Sequence, residues 1–185
     1  MPRLIFSAIA SLDGYTADAS GGFDWAAPDE EVHSFVNDRQ RDIGTYLYGR
    51  RMYETMRVWQ DELPGPDDGP VIADFAEVWR AADKVVFSRS LSEPTTPRTS
   101  IRPAFDARSV RELVEKAAGD VSIGGPTLAA AAFRAGLVDE VELFLVPVAV
   151  GGGTPALPLG TMVQLELLDE RRFAGGTVWL RYRVT

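Results

Sequence analysis

The strongest constraint on the fold is an alternation. Short apolar runs rich in β-branched and aromatic residues recur at residues 3–10, 45–49, 84–88 and 121–125, and stretches of helical pattern separate them. Runs of that length and composition read as buried strands. The intervening patterns read as helices over 28–44, 71–83, 109–119 and 126–136. Pro28 suits a first helical turn, acids crowd that end, and Gly44 can close the helix. Ser109 and Glu112 form a capping pattern for the third helix. Pro126 and Gly136 bracket the fourth. Residues 61–70 read as a solvent-facing excursion, and 92–104 as an extended, proline-broken segment. Beyond residue 140 strands run alone. The run 140–150 carries Pro147, which implies a bulge or an edge position. Residues 163–173 and 177–185 pair as a hairpin around 174–176. Together these predict one α/β domain over 1–185, a mainly parallel sheet, flanking helices and a C-terminal antiparallel pair.

Charge and composition exclude several classes of function. The formal net charge is -8, which disfavours nucleic acid and membrane surfaces as partners. The chain has no cysteine, which removes disulfides, thiol nucleophiles and cysteine-ligated metal. No metal cluster is expected from the spacing of the remaining ligand types. The apolar start is too short for a signal peptide, and no run approaches the ~18 residues of a membrane span. A cytoplasmic protein is expected.

Three strand-to-helix or strand-to-loop turns carry residues suited to phosphate. At "VSIGGPTLA", Gly124 and Gly125 clear the approach to the N–H groups of a helix opening at Pro126, and Thr127 adds a hydroxyl. A tight turn needing positive φ explains the same glycines. At "TYLYGRRMYE", Gly49 sits at the bend before Arg50 and Arg51. Two arginines at a helix start oppose the dipole unless an anion compensates or they fan into solvent. At "VFSRS", Ser88, Arg89 and Ser90 offer hydroxyls and a guanidinium at the carboxyl end of a strand, where open α/β sheets bind ligands. The three together describe a pyrophosphate plus one further phosphate, hence a phosphorylated dinucleotide such as NADPH.

The stretches "SLDGYTA", "GRRMYE", "VFSRS" and "GGPTLAAAAFRAGLVDEVELFLVPVAVGGGTP" resemble the dihydrofolate reductase-like superfamily, closest to the branch containing the reductase domain of riboflavin biosynthesis. The resemblance covers nearly the whole chain. It implies a central, mostly parallel eight-stranded sheet and NADPH as hydride donor. It maps Arg50, Arg51, Ser88 and Arg89 onto the adenosine-phosphate region, and Gly124, Gly125, Pro126, Thr127 and Leu128 onto the pyrophosphate loop. It places Ala8 and Ile9 beside the nicotinamide. Two features depart from the riboflavin branch. The zinc deaminase domain of the bifunctional enzyme has no counterpart here, and "GRRMYE" looks more like dihydrofolate reductase.

Hydride transfer asks the protein to stack the nicotinamide on the substrate, exclude water and manage a proton. Asp13, Asp24 and Glu31 are the candidate catalytic carboxyls, with ordered water as the other proton source. Asp13-Gly14 reads equally as a plain turn. Trp25, Glu30 and Phe35 are the candidate substrate contacts, although Trp25 also reads as a loop anchor. His33, the only histidine, reads as a relay or as a packed side chain. The expected function is NADPH-dependent reduction of a small nitrogen heterocycle, of the 5-amino-6-(5-phosphoribosylamino)uracil type. The alternatives are a dihydrofolate or pteridine reductase, and an NADPH-binding protein without turnover. A homodimer is expected, because the 140–150 run is apolar on both faces.

Overall fold

The computed structural model describes residues 1–185. Its strands are β1 (Leu4–Ser11), β2 (Tyr15–Ala17), β3 (Ile43–Gly49), β4 (Asp83–Phe87), β5 (Thr99–Arg102), β6 (Asp120–Gly124), β7 (Glu140–Val146), β8 (Thr154–Pro155), β9 (Leu165–Arg172) and β10 (Val178–Val184). The helices are α1 (Glu30–Gln40), α2 (Arg50–Met56), α3 (Val58–Asp61), α4 (Pro70–Ala81), α5 (Ala107–Lys116) and α6 (Pro126–Arg134), with a 3-10 turn at Asp24–Ala26. Eight strands form one sheet in the order β5-β4-β3-β6-β1-β7-β10-β9, and β2 pairs with β8 in a separate ribbon. Only β10 runs against the other strands of the large sheet. The expected α/β architecture with a mostly parallel sheet and a C-terminal hairpin is what the chain adopts.

Alternation along the strands divides the core between two faces. Leu4, Phe6, Leu47, Val85, Val121 and Ile123 point to the face covered by α5 and α6. Ile5, Tyr46, Tyr48 and Val86 point to the face covered by α2 and α4, where Trp79 is 0% exposed. Near the hairpin, Val32 of α1 packs on Phe144, Phe173 and Trp179. Each such fully buried side chain contributes about 1.5–3 kcal/mol of transfer free energy.

Several element boundaries differ from the expected ones. Helix α1 starts at Glu30, after Pro28, because the Asp29 carboxylate accepts from Val32 N at 2.9 Å and caps it. Gly44 lies inside β3 instead of ending that helix. Asp106, not Ser109, caps α5, accepting from Ser109 N at 2.8 Å. Pro147 falls just after β7, which is flanked by β1 and β10. It therefore ends a strand instead of bulging one, and β7 has no free edge to pair across a dimer. No helix is long and apolar enough to cross a membrane.

Lys84 is an unusual core member, 1% exposed on β4. Its ammonium donates to Trp79 O at 3.1 Å and Ala82 O at 3.0 Å, and lies 4.2 Å from the Trp79 ring centroid. It thus satisfies carbonyls at the end of α4, which has no glycine cap. Burial pushes its pKa down to about 8. Between that value and the unfolded lysine pKa the unfolded chain binds more protons, so stability rises with pH across that window. Unfolding by urea is expected to show a gain of roughly 1–2 kcal/mol from pH 7.5 to 9.5, absent in Lys84→Met. A flat wild-type profile contradicts this assignment.

An ion network fastens the hairpin side. Glu142, 2% exposed, accepts from Arg39 of α1 and lies 4.0 Å from Arg181 of β10. Glu140 accepts from Arg181 at 2.8 Å and Arg3 at 2.7 Å, and Arg3 also binds Asp120. Burial raises the Asp120 pKa, but the Arg3 hydrogen bonds outweigh it and hold the carboxyl below its ordinary value.

Candidate active site

The three phosphate-suited turns, far apart in sequence, meet on one edge of the sheet. Strands β4, β3 and β6 are neighbours, with Gly49 opposite Phe87 and Tyr48 opposite Gly124. The carboxyl ends of all three open onto the same rim. There α6 begins with Gly125 as a cap lacking any side-chain hydrogen bond. The first intrahelical bond runs from Ala129 N to Gly125 O at 3.0 Å, so the N–H groups of Thr127 and Leu128 are free to bind an anion. Pro126 has no N–H to leave unpaired.

The glycines themselves answer to the fold. A Cβ on Gly124 would lie 2.8 Å from Tyr48 Cε1, and one on Gly125 would lie 3.2 Å from Met52 Cβ. Gly125 also holds a φ of +86°. The turn requirement accounts for both, and the case for a ligand rests on the donors that converge around them. Gly49 leaves more room, its Cβ position being 4.0 Å from Leu128 Cβ.

Of the three arginines expected to meet phosphate, one is occupied and two are free. Arg50 bridges to Glu54 at 3.2 Å, whereas Arg51 and Arg89 are exposed and form no ion pair. Ser88 Oγ accepts from Ser90 N at 3.2 Å and Leu91 N at 3.1 Å, fixing the turn that carries Arg89. Two free guanidiniums, two free backbone N–H groups and the Ser90 hydroxyl form a donor set that fits a pyrophosphate and a further phosphate.

Ala8 and Ile9 lie on β1, one strand beyond β6. The β1–β6 register stops at Phe6 opposite Ile123, while β1 continues beside β7 to Ser11. From Ser7 onward the β6 side of β1 therefore has no strand partner. This slot lies between β1 and the α6 turn. The 3-10 turn carrying Asp24 and Trp25 packs against β1.

The acids and aromatics on the substrate side mostly hold structure. The Asp13 carboxylate accepts from Val150 N at 3.1 Å and Gly151 N at 2.7 Å, clamping the glycine-rich loop 151–153. Hydrogen bonding from Ser11 and from this loop holds its pKa below the ordinary value, which suits an anion and not a proton donor. Glu31 accepts from Ala174 N at 3.0 Å and Arg171 at 3.3 Å, tying α1 to the hairpin turn. Phe35 sits in an aromatic nest, 4.9 Å from Trp179 and 5.4 Å from Phe173. Trp25 Nε1 donates to Gly22 O at 3.2 Å within its own loop. Asp24 and Glu30 are exposed with no side-chain hydrogen bond.

His33 is 8% exposed, with its ring 5.9 Å from Trp59 and 5.6 Å from Phe75. Burial lowers its pKa against the pull of Asp74, so it packs as a neutral ring at pH 7. Asp18 is a brace that loop composition alone did not single out. It accepts from Ser20 N at 2.8 Å and Gly22 N at 2.9 Å. Met52, beside both glycines, is likewise part of the rim, on the helix already marked by its arginines. A surface cavity of about 660 Å³ lies at the opposite edge, around the amino ends of β3 and β4, away from all these groups.

Comparison with known proteins identifies relatives that share this fold. An uncharacterized protein of Bacillus subtilis, YyaP, is 28% identical over 184 residues, covering 97% of this chain and 94% of that one. The solved structure of a putative riboflavin biosynthesis protein from Shewanella superposes with a TM-score of 0.76 at 18% identity, covering 99% of each chain. A Thermotoga maritima diaminohydroxyphosphoribosylaminopyrimidine deaminase/5-amino-6-(5-phosphoribosylamino)uracil reductase superposes with a TM-score of 0.66 at 16% identity, over 100% of this chain and 57% of that one. This chain thus spans little more than half of the Thermotoga protein. With residues 2–179 matching its sequence profile, the chain belongs to the RibD C-terminal domain family.

Proposed function

We propose that the protein is an NADPH-dependent reductase of a small nitrogen heterocycle, with a pyrimidine of the 5-amino-6-(5-phosphoribosylamino)uracil type as substrate. The observation that carries this reading is the convergence of Gly124–Leu128, Arg51 and Ser88–Ser90 on three adjacent strand ends. Membership of the RibD C-terminal domain family and the activity named for the Thermotoga protein support the reaction class.

When bound, NADPH supplies a hydride. The residues of this chain do the rest. Thr127 and Leu128 N–H groups hold the pyrophosphate, and Arg51 and Arg89 hold the 2′-phosphate. The free edge of β1 at Ala8 and Ile9 receives the nicotinamide, and the loop bearing Trp25 shields it from water. Reduction of a C=N or C=O bond also consumes one proton. Among the three expected carboxyls, Asp24 alone has no partner in the fold, and in this reading it passes that proton from solvent. Self-association falls to Leu159, Met162 and Leu167, apolar side chains exposed on or beside edge strand β9.

One observation favours a second reading, an unphosphorylated substrate of pterin type. No lysine or arginine occurs between Arg3 and Arg39, while Asp13, Asp18, Asp24, Asp29, Glu30 and Glu31 all do. A phosphorylated substrate meets that field on one wall of the slot. NADPH oxidation with the phosphoribosylated aminouracil, its dephosphorylated form and a dihydropterin separates these cases. Turnover of the phosphorylated pyrimidine alone is the expected result. Turnover of the dihydropterin supports the second reading. NADPH binding without oxidation of any of the three identifies a binding protein and overturns the first.

A further inference from the structure

The loop between β4 and β5 is fastened to α2 by a single buried hydroxyl. Tyr53 of α2 is 1% exposed. Its hydroxyl accepts from Thr95 N at 3.0 Å and contacts Thr95 Oγ1 at 3.0 Å and Thr96 Oγ1 at 2.9 Å. Thr96 Oγ1 lies 2.8 Å from Thr99 Oγ1, which donates to Pro97 O at 3.0 Å.

Each hydroxyl has one proton, so the direction of this chain is determined. Thr99 spends its proton on Pro97 O and must accept from Thr96. Thr96 must then accept from Tyr53, and Tyr53 must accept from Thr95. Every proton is used, and no member can be lost without leaving a partner unpaired.

The two segments joined here carry the two free guanidiniums. Arg51 lies two residues before Tyr53 in α2, and Arg89 lies near the start of the β4–β5 loop that also carries Thr95 and Thr96. Ser88 pins the other end of that loop. We infer that Tyr53 is a positioning residue: its hydroxyl chain sets the separation of Arg51 and Arg89 and so the grip on the cofactor's third phosphate. This rests on the cofactor reading proposed above.

The test is equilibrium titration of wild type, Tyr53→Phe, Thr96→Val and Thr96→Ser with NADPH, NADH and adenosine 2′,5′-bisphosphate. In Tyr53→Phe, the Kd for NADPH and for the bisphosphate is expected to rise about fivefold, the equivalent of one net hydrogen bond, while that for NADH stays within about twofold. Thr96→Val shows the same loss of discrimination, and carries the test should Tyr53→Phe not fold. Thr96→Ser, which keeps the hydroxyl, retains the wild-type ratio. Unchanged discrimination in both broken variants overturns the inference, as does an equal loss of NADPH and NADH affinity. Wild type that does not distinguish NADPH from NADH overturns the cofactor reading itself, and this inference with it.

Discussion

Gly125→Val is expected to lose on the order of 3 kcal/mol of stability and its cofactor affinity together. Two costs add. A β-branched residue forced to a φ of +86° carries strain of about 1–3 kcal/mol. Its Cβ then meets Met52 Cβ at 3.2 Å, and overpacking of that kind costs about 1–3 kcal/mol more. The melting temperature should fall on the order of 10 °C. From the glycine pair alone, a valine that fills the space for a pyrophosphate while sparing the fold is an equally natural expectation. The positive φ and the packing of α2 against the turn argue against it. A variant that melts with wild type and fails only to bind NADPH contradicts this account of Gly125.

Replacing both Arg51 and Arg89 by alanine should weaken NADPH binding at least about a hundredfold, roughly tenfold for each charged hydrogen bond. NADH binding should change little. The Arg50→Ala variant is the informative control, because Arg50 is already engaged with Glu54. It should lose less than either free arginine. These losses should shrink as salt is raised, since the groups are exposed. Equal losses for NADPH and NADH in the double variant would place the arginines elsewhere than at the 2′-phosphate.

How far the sequence foretells this structure depends on the range of the interactions. Strands β1, β3, β4 and β6 and helix α6 are plain from local pattern, because each is an apolar run with its own breaker. The terminal hairpin is plain for the same reason. The insertion of β6 between β1 and β3 is not, since no local signal encodes a pairing across some 75 residues of chain. Strand β5 is equally hidden: its sequence Thr-Ser-Ile-Arg is short and polar, as an edge strand can be. Lys84 reads as the outer end of a strand, yet the end of α4 draws its ammonium inward.

The candidate site divides in the same way. The glycines, arginines and serines of the three turns can be picked out locally, but that they share adjacent strand ends follows only from the sheet order. The substrate side is not legible, because a loop carboxylate that clamps backbone N–H groups looks the same in sequence as one that moves a proton. Asp13, Asp29 and Glu31 all turn out to hold backbone, and only hydrogen-bond geometry distinguishes them from Asp24. The role of Tyr53 is invisible for a further reason. Its partners lie some 40 residues away, in a segment that reads as irregular.

The third phosphate is what distinguishes the two nicotinamide cofactors. Isothermal titration of wild-type protein with NADPH and with NADH, at equal and low ionic strength, measures its contribution directly. The predicted result is a Kd for NADPH at least about tenfold lower, as expected for one charge-assisted contact present in one cofactor and absent from the other. Equal dissociation constants, or tighter binding of NADH, would contradict the cofactor reading.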